Sequence, residues 1–227
     1  MKRNDSATPD PITLFLKWYE EAQTGTGRLF PKNRVISSGL QVIRRLLTAV
    51  LPWSSLLRPD IATLATVTPE NKPAARSVLF KGLVHGGFSF YTDFESKKGK
   101  ELAANPSAVL VFYWHFPPRQ IRIDGKSLKL SREEAEADWK ARRRENQAAS
   151  AAAPQSSIIQ GREELVEKVN QIKRRYNGKP IPCPDSWGGY YLVPEKIEFW
   201  EGRFNWIHQR ECYVRKDGRW ERVFLAP

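Results

Sequence analysis

Two segments with apolar residues at helical spacing precede a run of β-type segments along the chain. Apolar side chains recur at helical spacing over residues 11–22, opposite charged ones, which predicts an amphipathic helix packed on the domain. A second stripe covers residues 35–51. We interpret it as an extra core or dimer-interface helix. The alternative is a basic membrane-surface helix anchored by Trp53, Leu56 and Leu57.

From Ile61 onward the pattern changes to short segments rich in β-branched and aromatic residues, which is typical of strands. These segments are 62–67, 75–81, 88–92, 108–114, 120–130, 190–200, 207–215 and 220–225. The tripeptide Lys216-Asp217-Gly218 is a tight hairpin signal. About eight antiparallel strands are enough to close a small barrel. The sequence therefore predicts a mainly β domain with peripheral helices.

Three more helices are predicted between or after the strands. They cover residues 97–104, 131–149 and 163–176, and the second begins with Ser131 as N-cap and Glu134 at the capping-box position. The alanine-rich residues 148–153 and the following Pro154-Gln-Ser-Ser157 are interpreted as a loop that approaches a ligand.

Composition and charge narrow the class of protein. With 41% hydrophobic and 11% aromatic residues, a chain of 227 residues can bury one sizeable core, so we expect a single domain. The formal net charge of +12 is compatible with nucleic acid, an anionic membrane surface or an anionic small molecule. Because the cations are scattered and form no basic tail, we expect a small-molecule partner and no nucleic acid.

The cysteines and histidines argue against a disulfide-rich or metal-binding protein. Cys183 and Cys212 fall in no CxxC pair, so neither a disulfide framework nor a zinc site is expected. Three isolated histidines without an acidic cluster predict no metal site. The N-terminal residues carry cations without an apolar segment behind them, unlike a signal peptide. These features favour the cytoplasm.

The most informative motif combines strand cations with a basic pair at a helix start. It runs from Arg76-Ser-Val-Leu-Phe-Lys81 through Tyr91-Thr92 to Ser96-Lys97-Lys98, and such cations and hydroxyls suit a phosphorylated cofactor. Further matching segments are Arg119-Gln120, Pro154 to Ser157, Phe199-Trp200 and His208-Gln-Arg210. Together they resemble the pyridoxamine (pyridoxine) 5'-phosphate oxidases. The similarity extends from about residue 10 to residue 227, with an insertion near residues 24–58.

The resemblance implies an FMN-binding antiparallel split β-barrel that forms a homodimer with flavin between the subunits. The domain would span residues 1–227, with a helical insertion at about 24–58 and a C-terminal dimerisation segment at about 186–227. The implied reaction is hydride transfer from the substrate to flavin N5, then reoxidation by O2 to give pyridoxal 5'-phosphate and H2O2. The first alternative is a flavin oxidase of the same fold that acts on another aromatic compound, such as a phenazine precursor. The second is a non-catalytic flavin- or haem-binding protein.

The resemblance also implies the cofactor-binding residues. The phosphate side would use Arg76, Lys97, Lys98 and Ser156, with Lys97 where the family usually has Arg. The remaining implied FMN contacts are Ser77, Val78, Leu79, Lys81, Tyr91, Thr92, Gln120 and Gln155, with Trp200 and Arg210 from the other subunit.

His208 is the candidate catalytic residue, since the family uses a matching histidine to hold the substrate ring over the flavin. Alternation places Trp206, His208 and Arg210 on one face of the predicted last-but-one strand. The implied substrate-binding residues are Lys81, Asp138, Arg142, Asn146, Trp206 and His208. Several of these depart from the family: Trp206 replaces an Arg, and Asp138 would repel a phosphate unless it pairs with Arg142. We therefore expect slow oxidation of pyridoxine phosphate, or a larger and more aromatic substrate.

Overall fold

The computed structural model describes residues 9–24, 58–115 and 117–227. The predicted helix at 35–51 and nearly all of the predicted insertion lie outside the described residues. The helices are α1 (Pro11–Thr24), α2 (Lys97–Ala104), α3 (Arg132–Ala141), α4 (Arg144–Ala152) and α5 (Arg162–Arg175). The strands are β1 (Ile61–Val67), β2 (Pro73–Leu79), β3 (Leu83–Val84), β4 (Gly87–Asp93), β5 (Ser107–His115), β6 (Pro118–Lys129), β7 (Trp187–Glu201), β8 (Gln209–Lys216) and β9 (Arg219–Phe224).

The nine strands of the described chain form one antiparallel sheet. Its order is β2-β1-β5-β6-β7-β4-β3, with β8 paired to β7 and β9 to β8. Along one edge of β7, β4 pairs with residues 187–192 and β8 with residues 196–201, while β6 follows most of the other edge. This arrangement confirms the predicted antiparallel split barrel. The two-residue β3 is the strand that the sequence pattern did not predict.

Helix α1 supplies the centre of the main core. Phe15 is fully buried, and its ring centroid lies 4.8 Å from that of Phe88 and 5.2 Å from that of Phe112. The helix therefore packs its predicted apolar stripe against the strands, as amphipathic helices do.

A β-bulge bends the long pair β6–β7. The register shifts between Asp124 and Gly125, where Gly125 faces Pro194. A Cβ at Gly125 would lie 2.0 Å from the carbonyl oxygen of Val193, so only glycine fits there. The irregularity thus lies opposite Pro194 of β7.

The prediction of a single helix over residues 131–149 is wrong, because the structure has two helices there, α3 and α4. The capping box of Ser131 and Glu134 is present, but α3 ends at Ala141 and Arg142 has extended backbone angles. Non-local contacts account for the break. The Arg142 guanidinium stacks 4.3 Å from the centroid of the Trp187 ring, and Arg144 donates to the backbone carbonyls of Tyr176 and Lys179 just after α5. These tertiary contacts override the local helix propensity.

The loop predicted at residues 148–153 is mostly helical, which corrects that prediction. Residues 148–152 are the second half of α4, in keeping with the high helix propensity of alanine. Ala148 is fully buried against Trp139 and Trp187, so the alanines provide close packing. The non-helical loop starts only at Ala153.

Cys183 and Cys212 are both free thiols. Among the described residues, no helix is long and apolar enough to cross a membrane.

Candidate active site

A buried lysine marks the start of α2. Lys98 is only 9% exposed, and its ammonium donates to Gln155 Oε1 at 2.7 Å, to Thr92 Oγ1 at 3.0 Å and to Ser96 Oγ at 3.4 Å. Ser96 is also the N-cap of the helix and accepts from the backbone N–H of Gly99. These hydrogen-bond acceptors are all neutral oxygen atoms. The buried ammonium also lies at the N-terminus of α2, which is the positive end of the helix dipole.

Arg76 reaches the same region from β2. Its guanidinium pairs with the buried carboxylate of Glu101 at 2.6 Å and donates to Thr66. Burial lowers the pKa of Lys98, and the positive charge of Arg76 lowers it further, against an opposing effect of Asp93 and Glu101. Two cations are therefore close enough to repel each other, which is typical of a site that receives an anion.

The loop after α4 completes this group of residues. Ser156 Oγ accepts from the backbone N–H of Lys97 at 3.4 Å, and Ser156 has a φ of 72°. A serine rarely adopts a left-handed conformation, so the loop is held in a specific shape. Beside it lies a cavity of about 320 Å³ whose lining includes Asp93, Gln155, Ser156 and Trp187. We call Arg76, Lys97, Lys98, Thr92, Gln155 and Ser156 the cation group.

The other predicted cofactor residues on and just after β2 differ in their exposure. Val78 is buried in the main core, so only its backbone could face a ligand, while Ser77 and Lys81 are exposed and Leu79 is partly buried. Lys81 lies two residues beyond the end of β2, and its backbone N–H bonds to the carbonyl oxygen of Ser89.

A second group lies on three neighbouring strands. Gln120 on β6, Trp200 on β7 and Arg210 on β8 are register partners, so their side chains share one face of the sheet. Arg210 pairs with the buried carboxylate of Glu198 at 2.7 Å and donates to the carbonyl oxygen of Ala226 at 2.8 Å. We call Gln120, Trp200 and Arg210 the strand-end group.

The cation group and the strand-end group lie near opposite ends of β7. Thr92 pairs with Gly188 at the start of β7, and Gln120 pairs with Trp200 at its end. At ~3.3 Å per residue, this stretch of strand measures roughly 40 Å along its path. The fold of one chain therefore does not bring the two predicted halves of the cofactor site together along this strand.

Of the predicted substrate residues, Asp138 and Arg142 are neighbours. The carboxylate of Asp138 lies 3.6 Å from the Arg142 guanidinium, beyond hydrogen-bond distance, and Arg142 also donates weakly to Ser150 at 3.5 Å. Burial raises the pKa of Tyr91, and the Asp138 carboxylate raises it further. Arg142 thus already has an acidic neighbour, whereas Asn146 is exposed on α4.

His208 and Trp206 lie in the turn before β8. Because β8 begins only at Gln209, the strand alternation predicted for Trp206, His208 and Arg210 is wrong. Trp206 has a φ of 62° and is 80% exposed. The two side chains line a cleft of about 550 Å³ with Trp200 and Phe204. The strand-end group therefore borders a largely aromatic cleft.

Several polar residues of these groups have no sequence signal of their own. Glu101, Thr66 and Glu198 hold the predicted cations but lie in ordinary helix and strand patterns. No cluster of metal-ligating side chains is present among the residues that the structure describes.

Comparison with known proteins identifies relatives over nearly the full chain. A family model described as pyridoxamine 5'-phosphate oxidase matches residues 54–176, and one described as the pyridoxine 5'-phosphate oxidase C-terminal dimerisation region matches residues 187–227. A pyridoxine/pyridoxamine 5'-phosphate oxidase from Rubrobacter xylanophilus is 38% identical, over 98% of this chain and 89% of that protein. One from Microcystis aeruginosa is 40% identical, over 96% of this chain and 89% of that protein.

Solved structures share the fold. PhzG from Burkholderia lata 383, in complex with tetrahydrophenazine-1-carboxylic acid, superposes with a TM-score of 0.79 at 26% identity, covering 98% of this chain and 95% of that chain. A pyridoxamine 5'-phosphate oxidase-related, FMN-binding protein from Nostoc punctiforme gives a TM-score of 0.62 at 20% identity, covering 87% of this chain and 98% of that chain. Taken with the family models and the sequence relatives, these similarities show that the chain belongs to the pyridoxamine 5'-phosphate oxidase family of oxidoreductases.

Proposed function

We propose that this protein is an FMN-dependent oxidase that converts pyridoxine or pyridoxamine 5'-phosphate to pyridoxal 5'-phosphate, with O2 as the final electron acceptor and H2O2 as a product. The names of its relatives support the reaction, since they are pyridoxine/pyridoxamine 5'-phosphate oxidases that align with almost the whole chain. The buried ammonium of Lys98 is the observation that carries the proposal to this chain.

The cation group fits the phosphate of FMN. Lys98 supplies an ammonium, Arg76 supplies a guanidinium that also pairs with Glu101, and Ser156 supplies a hydroxyl beside the start of α2. An ammonium that has only neutral hydrogen-bond acceptors gains a counter-charge when a phosphate binds. This gain offsets the desolvation of Lys98, which explains why a lysine is buried there.

When bound, FMN would supply the redox chemistry by accepting a hydride from the substrate and passing the electrons to O2. The side chains of this protein would bind and orient. Gln120 and Gln155 carry amide groups suited to the polar edge of a flavin, and Trp200 offers a flat apolar surface. Arg210 supplies positive charge close to Trp200, where charge that develops on a reduced ring would be stabilised.

A homodimer would bring the two groups of residues together. The cation group and the strand-end group lie near opposite ends of β7, and the matched dimerisation region covers residues 187–227. A two-fold axis would place the strand-end group of one subunit beside the cation group of the other, twice per dimer. We therefore infer that each cofactor site draws residues from both subunits.

An aromatic substrate without a phosphate is the second candidate. Arg142 has Asp138 as a neighbour at 3.6 Å, so a phosphate dianion would approach a carboxylate as well as a guanidinium. Trp206 is 80% exposed in the aromatic cleft, where it offers a stacking surface. PhzG, which resembles this chain over nearly its full length, was solved with a tricyclic carboxylic acid.

Anaerobic mixing tests the proposed reaction. The purified protein, loaded with FMN, is mixed with pyridoxine or pyridoxamine 5'-phosphate while the absorbance of oxidised flavin is followed. We expect the flavin to bleach with substrate and to recover on admission of air. Bleaching only by a tricyclic aromatic acid would support the second candidate, and no bleaching by any of these compounds would refute both.

A further inference from the structure

The turn between β7 and β8 is closed by its own hydrogen bonds. The carbonyl oxygen of Arg203 accepts from the backbone N–H of Trp206 at 3.1 Å, and Asn205 Oδ1 accepts from the backbone N–H of Ile207 at 3.2 Å. Trp206 itself has a positive φ of 62°. His208 follows directly and so has a defined position relative to Arg203.

One nitrogen of His208 is engaged by the backbone. The N–H of Arg203 donates to His208 Nδ1 at 3.1 Å. A backbone N–H can only donate, so Nδ1 must present its lone pair, and the proton of the neutral ring then lies on Nε2. The ring is packed 4.9 Å from Trp200 and 5.8 Å from Trp206, centroid to centroid.

Arg203 is itself anchored on two sides. Its guanidinium donates to Glu201 Oε2 at 2.6 Å and to Gln209 Oε1 at 3.0 Å. Glu201 is only 8% exposed, and its other oxygen accepts from Arg119 at 3.3 Å. Arg119 pairs in turn with Glu21 of α1 at 2.6 Å. A continuous polar network therefore connects the first helix to the turn that carries His208.

We propose that this network fixes His208 as the Nε2–H tautomer, so that His208 acts as a hydrogen-bond donor to a substrate oxygen and Glu201 and Arg203 act as positioning residues. A donor at Nε2 selects a substrate whose ring carries an acceptor oxygen, such as a hydroxyl, phenolate or carboxylate. His208 does not act as a general base while the turn is intact, because its lone pair is used by Arg203. The inference rests on the proposed function in placing a substrate beside His208.

Nitrogen NMR of the FMN-loaded protein reads the tautomer directly. The sequence contains three histidines, and a His208→Gln variant assigns the signals of His208 by their loss. In long-range proton–nitrogen spectra near neutral pH, we expect a protonated Nε2 and an unprotonated Nδ1. A protonated Nδ1, alone or in an imidazolium, would overturn the proposal. This measurement needs no substrate, so it is independent of the flavin-bleaching test.

Two variants test the positioning residues. Arg203→Ala and Glu201→Gln remove the anchor from either side, and Glu195→Gln is a matched control because Glu195 lies on β7 in an exposed ion pair with Lys126. For both test variants we expect mixed tautomers and a KM about tenfold higher, with a smaller change in kcat, as for one weakened hydrogen bond. If Glu201→Gln does not fold, Arg203→Ala decides alone. A tautomer and KM equal to those of the control would refute the positioning role.

Discussion

At Lys98, neutral oxygen atoms of Thr92, Ser96 and Gln155 solvate a buried charge. Burial lowers the pKa of Lys98 from its usual value of 10.5. At pH values below the lowered pKa, the lysine is charged in both folded and unfolded chains, so the cost of burying the charge is fully present. As the pH rises from the lowered pKa toward 10.5, the folded chain releases its proton first, and the cost is relieved.

A Lys98→Met variant should therefore be more stable than the natural protein when both are free of flavin near neutral pH. The gain in the free energy of unfolding should shrink as the pH approaches 10.5, which urea titrations at two pH values would measure. Lys100→Met is the control, since Lys100 is 64% exposed in its side chain and should show neither effect. A gain that does not depend on pH would mean that the charge of Lys98 is not its cause.

Under the proposed function, Trp206 is the position where a charged substrate contact would be exchanged for an aromatic one. With an arginine at this exposed position, we expect kcat/KM for pyridoxine 5'-phosphate to rise about ten- to a hundredfold, the effect of one charged hydrogen bond of ~1.5 to 3 kcal/mol. Steady-state oxidation by the natural protein and Trp206→Arg measures this. Leu128→Arg, at a 48% exposed position on β6 outside the cleft, controls for added charge. Efficient oxidation by the natural protein and no gain in Trp206→Arg would contradict the expectation.

At this scale the sequence predicted residue types better than their contacts. Arg76, Lys98 and Gln155 follow from the family motif, and the structure brings Lys98 and Gln155 into contact. The sequence could not predict that Arg76 pairs with Glu101, because that contact joins β2 to a helix distant in the chain. Nor did alternation reveal the turn at Trp206, because a positive φ at a tryptophan leaves no signal in the pattern of apolar and polar residues.

At the scale of the element, the bulge in β6 sets the path of the longest strand pair. A Gly125→Ala variant should lose about 1 to 3 kcal/mol of unfolding free energy, because its Cβ would overlap the carbonyl oxygen of Val193. Gly161→Ala is the matched control: Gly161 has extended backbone, and a Cβ there would meet only the end of the Glu163 side chain at 3.1 Å. Urea unfolding measures both, and equal stability of the two variants would show that β7 can shift to make room.

Elements with a strong local pattern were predicted well. The main strands follow period-two burial, as in β5, where alternate side chains face the core. The α3–α4 break was missed because its causes, the Arg142–Trp187 stack and the Arg144 contacts just after α5, join segments far apart in sequence. Propensity is a local property, so it reports a continuous helix there.

At the scale of the whole molecule, the two-subunit site can be tested by mixing variants. Lys98→Met removes part of the cation group, and Arg210→Gln removes part of the strand-end group. Each variant alone should bind FMN about tenfold more weakly or worse. After unfolding and refolding together, half of the dimers are mixed and each mixed dimer has one intact site, so roughly a quarter of all sites should regain normal affinity.

Fluorescence titration of FMN at a concentration that leaves either variant largely empty would count the restored sites. Light scattering should show a particle of two 26.1-kDa chains in every sample. Separate refolding of the two variants, followed by combination just before titration, is the control. A site built within one chain would give no restoration in the co-refolded sample.

Mutations in the two halves of β7 would affect different cofactor pockets of the proposed dimer. Residues 187–192 pair with β4 beside the cation group, and residues 196–201 pair with β8 beside the strand-end group. In the proposed dimer, each pocket takes its cation group from one subunit and its strand-end group from the other. An inherited change in the first half of β7 therefore alters the pocket beside the cation group of that subunit, whereas a change in the second half alters the other pocket. Under the proposed function, selection could therefore change substrate choice at Trp206 while flavin binding at Lys98 is constrained separately.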